Sequence, residues 1–391
     1  MPARKEIFLV VGEASGDLHA ALVAAGLTGD PDLRLRGAAG PRMRAAGVQA
    51  DFDSEAWSAI GIAEALKGLP LLFRRGRQIL ALLEGERPAV LVLVDFGAFN
   101  VRLARRARRR WPELPILYYF PPGSWNPRPR DLAWLAPLVD AVATPFDFSA
   151  RMLQASGVPA AWVGHPVLDR LRPLADREAF RREHDLPPGA PVVGLMPGSR
   201  ALERKLLGRV LLEAGRLIQR ELPSAQCLWS VLPGRPRRPV DRQAEATPGV
   251  RVVDDSAVLL SAADVVITAM GTATLEAAAA DCLPVAVYRG TAAMWLQWKL
   301  LGVHTDLYSL PNLLLGERRL PELVHREVTP ERLCLEVVDL WSDPAEQARR
   351  REALASVRAK LGTPGVSERV ARMIRGLANG EPFRPEWGLP V

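Results

Sequence analysis

Four stretches of this 391-residue chain combine residue types that do chemistry with spacings that would aim them at a ligand. The first is Gly12-Glu13-Ala14-Ser15-Gly16-Asp17, between an apolar run and a helix-length segment. Gly12 and Gly16 permit close backbone approach, and the helix start, with Ser15 in it, offers unpaired N–H groups to an anion. The same residues also suit a tight turn capped by Ser15 or Asp17. Neither the dinucleotide G-x-G-x-x-G pattern nor the lysine of a P-loop is present. The second is Pro197-Gly198-Ser199-Arg200, where Gly198 and Ser199 can donate at a helix start and Arg200 adds a fixed cation. A phosphate or diphosphate fits it; the alternative is a capped turn with a solvated arginine, in a place where the helix dipole disfavours a cation. The third is Gly271-Thr272-Ala273-Thr274-Leu275-Glu276, whose small residues let a helix start lie against an anionic group while Glu276 accepts from sugar hydroxyls. Its alternative is close packing of alanines with Glu276 favouring the helix N-terminus. The fourth is Asp95, followed by Phe96-Gly97-Ala98-Phe99-Asn100. A carboxylate at the end of a buried strand is partly desolvated, which raises its pKa toward that of a general base; helix N-capping is the other role open to it.

Such loops need strands to hold them. Apolar runs at residues 7–11, 33–36, 89–95, 115–120, 141–144 and 161–164 alternate with helix-length segments, as in buried parallel sheets. A second series follows at 191–196, 225–231, 250–253, 264–268 and 284–287, with a helix expected over 201–221. The reading is α/β: two Rossmann-like doubly wound domains, residues 1–168 and residues 169–391, the latter including a C-terminal helical tail. Ligands of open parallel sheets bind beyond the carboxyl ends of strands, so two such domains are expected to face each other across a cleft.

Composition narrows the class. Apolar residues make up 48% and charged residues 24%, while 34 prolines and 31 glycines are dispersed, which argues against disorder and collagen-like repeats. Cys227, Cys282 and Cys334 lie far apart and suggest neither a disulfide framework nor a zinc site. The net charge is +7, and only five of 51 basic residues are lysine, so anionic partners are expected. The arginines between Arg102 and Arg110 read as a solvated helix face, and no nucleic-acid-reading module accompanies them. No export signal or membrane-spanning run is evident, so a cytoplasmic protein is expected. Trp295 and Trp298, beside Lys299, suit either a core or a lipid interface.

With these motifs in order, the sequence resembles the lipid-A-disaccharide synthases, glycosyltransferases of GT-B architecture. The resemblance rests on G-E-A-S-G-D from Gly12, A-G-P-R-M at 39–43, I-G-I-A-E at 60–64, G-H-P from Gly164, P-G-S-R from Pro197 with Glu203 beyond, G-T-A-x-L-E from Gly271, and Y-S-L-P-N-L-L at 308–314. It implies transfer of 2,3-diacylglucosamine from UDP to 2,3-diacylglucosamine 1-phosphate, with inversion and release of UDP. The resemblance makes Asp95 the catalytic carboxylate and assigns Arg200 to the diphosphate, Asn312 to donor positioning and Glu276 to the ribose. The first domain, with Gly12, Ser15, Gly16 and Asn100, is expected to bind acceptor. No cofactor or metal is implied. The implied partners are the UDP-linked acylated amino sugar, a lipid acceptor and an anionic membrane surface; the assembly state stays open, a homodimer included. Three departures bear on the acceptor and the site: Ala98 stands where the family has a second aspartate, Pro121 to Pro127 keep one tryptophan of the aromatic loop, and Met270 replaces a serine. Another lipid or amino-sugar acceptor, or an idle UDP-sugar binder, are the alternatives.

Overall fold

A computed structural model of the protein describes residues 4–54, 57, 62–124, 126, 131–231, 236–291 and 306–391, and of 62–69 the backbone alone. The start of the I-G-I-A-E motif, Trp125, Pro127 and the segment with Trp295 and Trp298 lie outside the described residues. The chain forms two compact units: Met1–Asp169 with Leu361–Val391, and Arg170–Lys360.

The first unit is built on a seven-stranded parallel sheet of order β3-β2-β1-β4-β5-β6-β7. The strands are β1 (Lys5–Val10), β2 (Leu33–Ala39), β3 (Gln49–Asp53), β4 (Val90–Val94), β5 (Ile116–Tyr119), β6 (Ala141–Thr144) and β7 (Ala160–Trp162). All five residues of β4 are buried, as a parallel strand covered on both faces requires. Alternate side chains sort to opposite faces. Ile7 and Leu9 join one core with Val23, Leu27, Val370 and Ile374, while Phe8 and Val10 join the other with Ile79, Leu83, Leu103 and Ala107.

The C-terminal tail corrects the expected domain division. Helix Val366–Ala378 buries Val370, Met373, Ile374 and Leu377 in the core of the first unit, not the second. Its N-terminus is fixed by Asp169, whose carboxylate accepts from the backbone N–H groups of Gly365 at 2.7 Å, Val366 at 3.0 Å and Ser367 at 2.7 Å. Three orphan donors of the helix start thus meet one carboxylate.

The second unit carries a six-stranded parallel sheet of order β10-β9-β8-β11-β12-β13. Its strands are β8 (Val192–Met196), β9 (Gln226–Ser230), β10 (Val250–Val253), β11 (Val265–Ala269), β12 (Leu283–Tyr288) and β13 (Glu322–Val324). Helix Ala201–Glu221 lies on it through Leu207, Leu211, Leu212 and Ile218, a helical stripe. In each sheet the strand order reverses once, between β1 and β4 and between β8 and β11. In open parallel sheets such switch points are where ligands bind, beyond the carboxyl ends of the strands.

Candidate functional site

All four candidate loops follow the strands that flank a switch point: those at Gly12 and Asp95 after β1 and β4, and those at Pro197 and Gly271 after β8 and β11.

In the first unit the two loops touch. A Cβ built on Gly12 would stand 2.3 Å from the Phe96 ring, and one on Gly16 would stand 3.9 Å from the Cβ of Asp95. Helix Ala14–Leu27 begins with Glu13 at its N-cap, whose side chain does not cap it; Ser15 and Gly16 sit in its first turn. Neither Ser15 nor Asp17 caps this helix. Asp17 is buried and accepts instead from the backbone N–H groups of Arg42 at 3.0 Å and Met43 at 3.1 Å, capping the short helix Pro41–Ala45.

Asp95 is partly buried at the carboxyl end of β4 with a left-handed backbone, φ 50°, and Phe96 follows at 49°. Phe96, not Asp95, is the N-cap residue of helix Gly97–Arg110. The Asp95 main chain is pinned: its N–H donates to the Tyr119 carbonyl at 2.9 Å, and its carbonyl accepts from Asn100 Nδ2 at 2.9 Å and the Tyr118 hydroxyl at 3.0 Å. Asn100 is fully buried, and Nδ2 also donates to the Val94 carbonyl at 3.2 Å, so its amide shapes the Asp95 loop from behind. Burial, and then the Asp95 charge, push the Tyr118 hydroxyl far above its ordinary range, which keeps it a hydrogen-bond donor. Left-handed non-glycine residues cost energy and cluster at functional sites. Asp95, Phe96 and Phe120, at 58°, occupy the ends of adjacent strands β4 and β5.

Sequence reasoning missed a buried cluster at the same edge. His19 stacks on Phe120 with ring centroids 5.0 Å apart, and His165 of the G-H-P motif meets both edge-on, at 6.1 Å and 5.7 Å. Burial first, and the neighbouring His19 second, hold the His165 ring well below its ordinary pKa, so it is neutral. Its Nδ1 accepts from the Val167 N–H at 3.3 Å.

In the second unit, Gly198 has φ 102° and Arg200 is the N-cap residue of helix Ala201–Glu221, its side chain 73% exposed. Glu203 folds back over the turn, with Oε2 accepting from the Arg200 N–H and Oε1 from its guanidinium, both at 3.1 Å. Beneath it the buried Arg204 donates to the Gly198 and Ser230 carbonyls, each at 2.9 Å, and pairs with Asp241. Next to this loop, Gly271 caps helix Thr272–Ala279 with φ 148°; a Cβ there would meet open space, and Thr272 is exposed with Ala273 behind it. Glu276 is paired with Arg170 at 2.9 Å, a partner that sequence reasoning did not single out. Tyr288, at the end of β12, was also missed. Burial raises its hydroxyl pKa, the Glu203 charge adds to that and the Arg200 charge opposes it.

Asn312 does not present its amide to a ligand edge. It is fully buried in helix Leu310–Leu315: Oδ1 accepts from the N–H groups of Arg319 and Leu320 at 3.0 Å each, and Nδ2 donates to the Leu320 carbonyl at 2.9 Å. The buried Glu322 holds the preceding turn, accepting from the N–H groups of Tyr308 at 3.1 Å and Ser309 at 2.6 Å. Any effect of Asn312 on donor binding therefore passes through the loop it folds. Among the described residues, no group of three or more His, Cys, Asp or Glu is arranged to hold a metal ion.

The arrangement places two helix starts preceded by positive-φ glycines at one switch point and a carboxylate with a pinned main chain at the other. The lipid-A-disaccharide synthetase family matches residues 7–372. A lipid-A-disaccharide synthase of Geobacter sulfurreducens is 35% identical over 94% of this chain and 96% of its own. By fold the chain is similar to S. aureus MnaA solved with UDP (TM-score 0.62, 11% identity, 96% and 97% of the two chains). It is similar also to the UDP-GlcNAc 2-epimerase of Neisseria meningitidis bound to UDP-GlcNAc (TM-score 0.61, 11% identity, 95% and 99%). The two-unit α/β fold is of GT-B type, and a family match that spans both units makes this chain a member of the lipid-A-disaccharide synthase family.

Proposed function

We propose that the chain transfers 2,3-diacylglucosamine from UDP to the 6-hydroxyl of 2,3-diacylglucosamine 1-phosphate, with inversion. Asp95 takes the hydroxyl proton as the oxygen attacks the anomeric carbon and the bond to the diphosphate breaks. The leaving UDP gathers negative charge, which Arg200 and the N–H groups at the helix starts after Gly198 and Gly271 stabilise. The observation that carries the reading is the placement of all four loops at switch points, with the main chain of Asp95 held in a left-handed conformation by three hydrogen bonds, two of them from the side chains of Asn100 and Tyr118. Glu276 takes the ribose by exchanging Arg170 for sugar hydroxyls, and the Gly12 to Gly16 turn takes the acceptor.

Peripheral contact with the inner face of the cytoplasmic membrane belongs to the same reading, because acylated substrates reside in a bilayer. No helix among the described residues is long and apolar enough to cross one. Support comes from an exposed face: Phe73 carries the guanidinium groups of Arg102 and Arg106, each 5.9 Å from its ring centre, and Trp134 carries that of Arg105 at 6.0 Å. Aromatic rings under cations suit an anionic lipid surface.

A second reading, a different acceptor, is favoured by Ala98, which is exposed in the first turn beyond Asp95, at the position where the family resemblance leads one to expect a second aspartate. The test is UDP release from UDP-diacylglucosamine with the acylated glucosamine phosphate and with a panel of other lipid acceptors. Turnover on the first acceptor supports the main reading, and turnover only on another supports the second. Tight UDP binding without turnover on any acceptor would reduce the chain to a binder.

A further inference from the structure

We propose that Glu203 is a tethered anion that competes with the diphosphate for Arg200 and speeds the departure of UDP, a positioning residue acting through Arg200. The inference rests on reading residues 197–200 as the diphosphate loop.

Its carboxylate already makes the contacts expected of a phosphate. One oxygen accepts from the Arg200 N–H at the start of the helix, the other from the Arg200 guanidinium, both at 3.1 Å. Gly198 makes room for it, since a Cβ there would stand 2.3 Å from Glu203 Oε2 and 2.8 Å from Glu203 Cβ. The pair is made to open. The Arg200 side chain is 73% exposed and that of Glu203 23%, and ion pairs so hydrated contribute little stability. A diphosphate, with more charge and more acceptor oxygens, displaces the carboxylate but leaves it covalently close, where its charge repels the bound ligand.

The loop itself does not depend on this exchange. Arg204, 2% exposed, holds the Gly198 and Ser230 carbonyls and is locked to Asp241, which also accepts from Trp229 Nε1 at 3.0 Å. The turn therefore keeps its shape whether Glu203 is bound to Arg200 or pushed aside.

The experiment measures UDP affinity by calorimetry and UDP dissociation by stopped flow, for wild type, Glu203→Gln, Glu203→Asp and Arg200→Ala. Glutamine keeps an acceptor for the Arg200 N–H but removes the charge. UDP should bind Glu203→Gln about two- to fivefold tighter and leave it correspondingly more slowly. Aspartate, which keeps the charge one methylene farther back, should fall between glutamine and wild type. A residue serving only as a helix cap would give the opposite order or no change. Equal or weaker UDP binding by Glu203→Gln, with the expected loss in Arg200→Ala, would overturn this inference alone. Wild-type affinity in Arg200→Ala would overturn the diphosphate reading and this inference with it.

Discussion

Gly40 lies so close to Asp17 that a Cβ added to it would stand 2.4 Å from the Asp17 Cγ. The contact explains why G-E-A-S-G-D and A-G-P-R-M occur together, because the carboxylate of the first caps the helix opened by the second. Asp17→Ala should leave the N–H groups of Arg42 and the buried Met43 without their carboxylate acceptor and cost about 1.5–3 kcal/mol. Gly40→Ala should destabilise by pushing the carboxylate out of place. Urea unfolding checks both, and wild-type midpoints would show that the two motifs are independent.

Arg200→Ala should weaken UDP binding about ten- to a hundredfold, the loss of one charge-assisted contact worth ~1.5–3 kcal/mol. Calorimetry on a variant with wild-type thermal stability decides it.

Asp95→Asn preserves shape and removes the proton acceptor, so turnover should fall by ~10² to 10⁴ while UDP affinity stays the same. Equal rates for variant and wild type would take Asp95 out of the mechanism.

Stability should fall on the acid side through His165. The folded ring is held neutral by burial, whereas the unfolded ring takes a proton near its ordinary pKa of about 6.5. Below that pH the unfolded state binds more protons, so stability declines as pH drops, by at most about 1.4 kcal/mol per unit for this one group. Well above pH 6.5 it contributes no slope. His165→Asn should flatten the decline between about pH 6.5 and 5 in denaturation curves; an unaltered slope would assign it elsewhere.

Strands and helices buried on a sheet were legible because burial demands a continuous or periodic apolar signal. Residues 141–144, 250–253 and the helix over 201–221 emerge with the expected bounds. Strand β3, with the sequence Gln-Ala-Asp-Phe-Asp, is an edge strand whose five residues are all half-exposed or exposed, so no such run marks it; β13 has only three residues. Site residues were legible as types at strand ends. Their partners were not, because Arg170 meets Glu276 across 106 positions and Asn312 meets Leu320 only once the loop has closed. Nor does an amphipathic helix such as 366–378 state which core receives its apolar stripe.

The return of that helix to the first unit sets an order for biosynthesis. Residues 170–360 are translated before the segment that supplies Val370, Met373 and Ile374. The inserted unit can therefore close while its host still lacks part of its core, and the domain begun first on the ribosome is finished last.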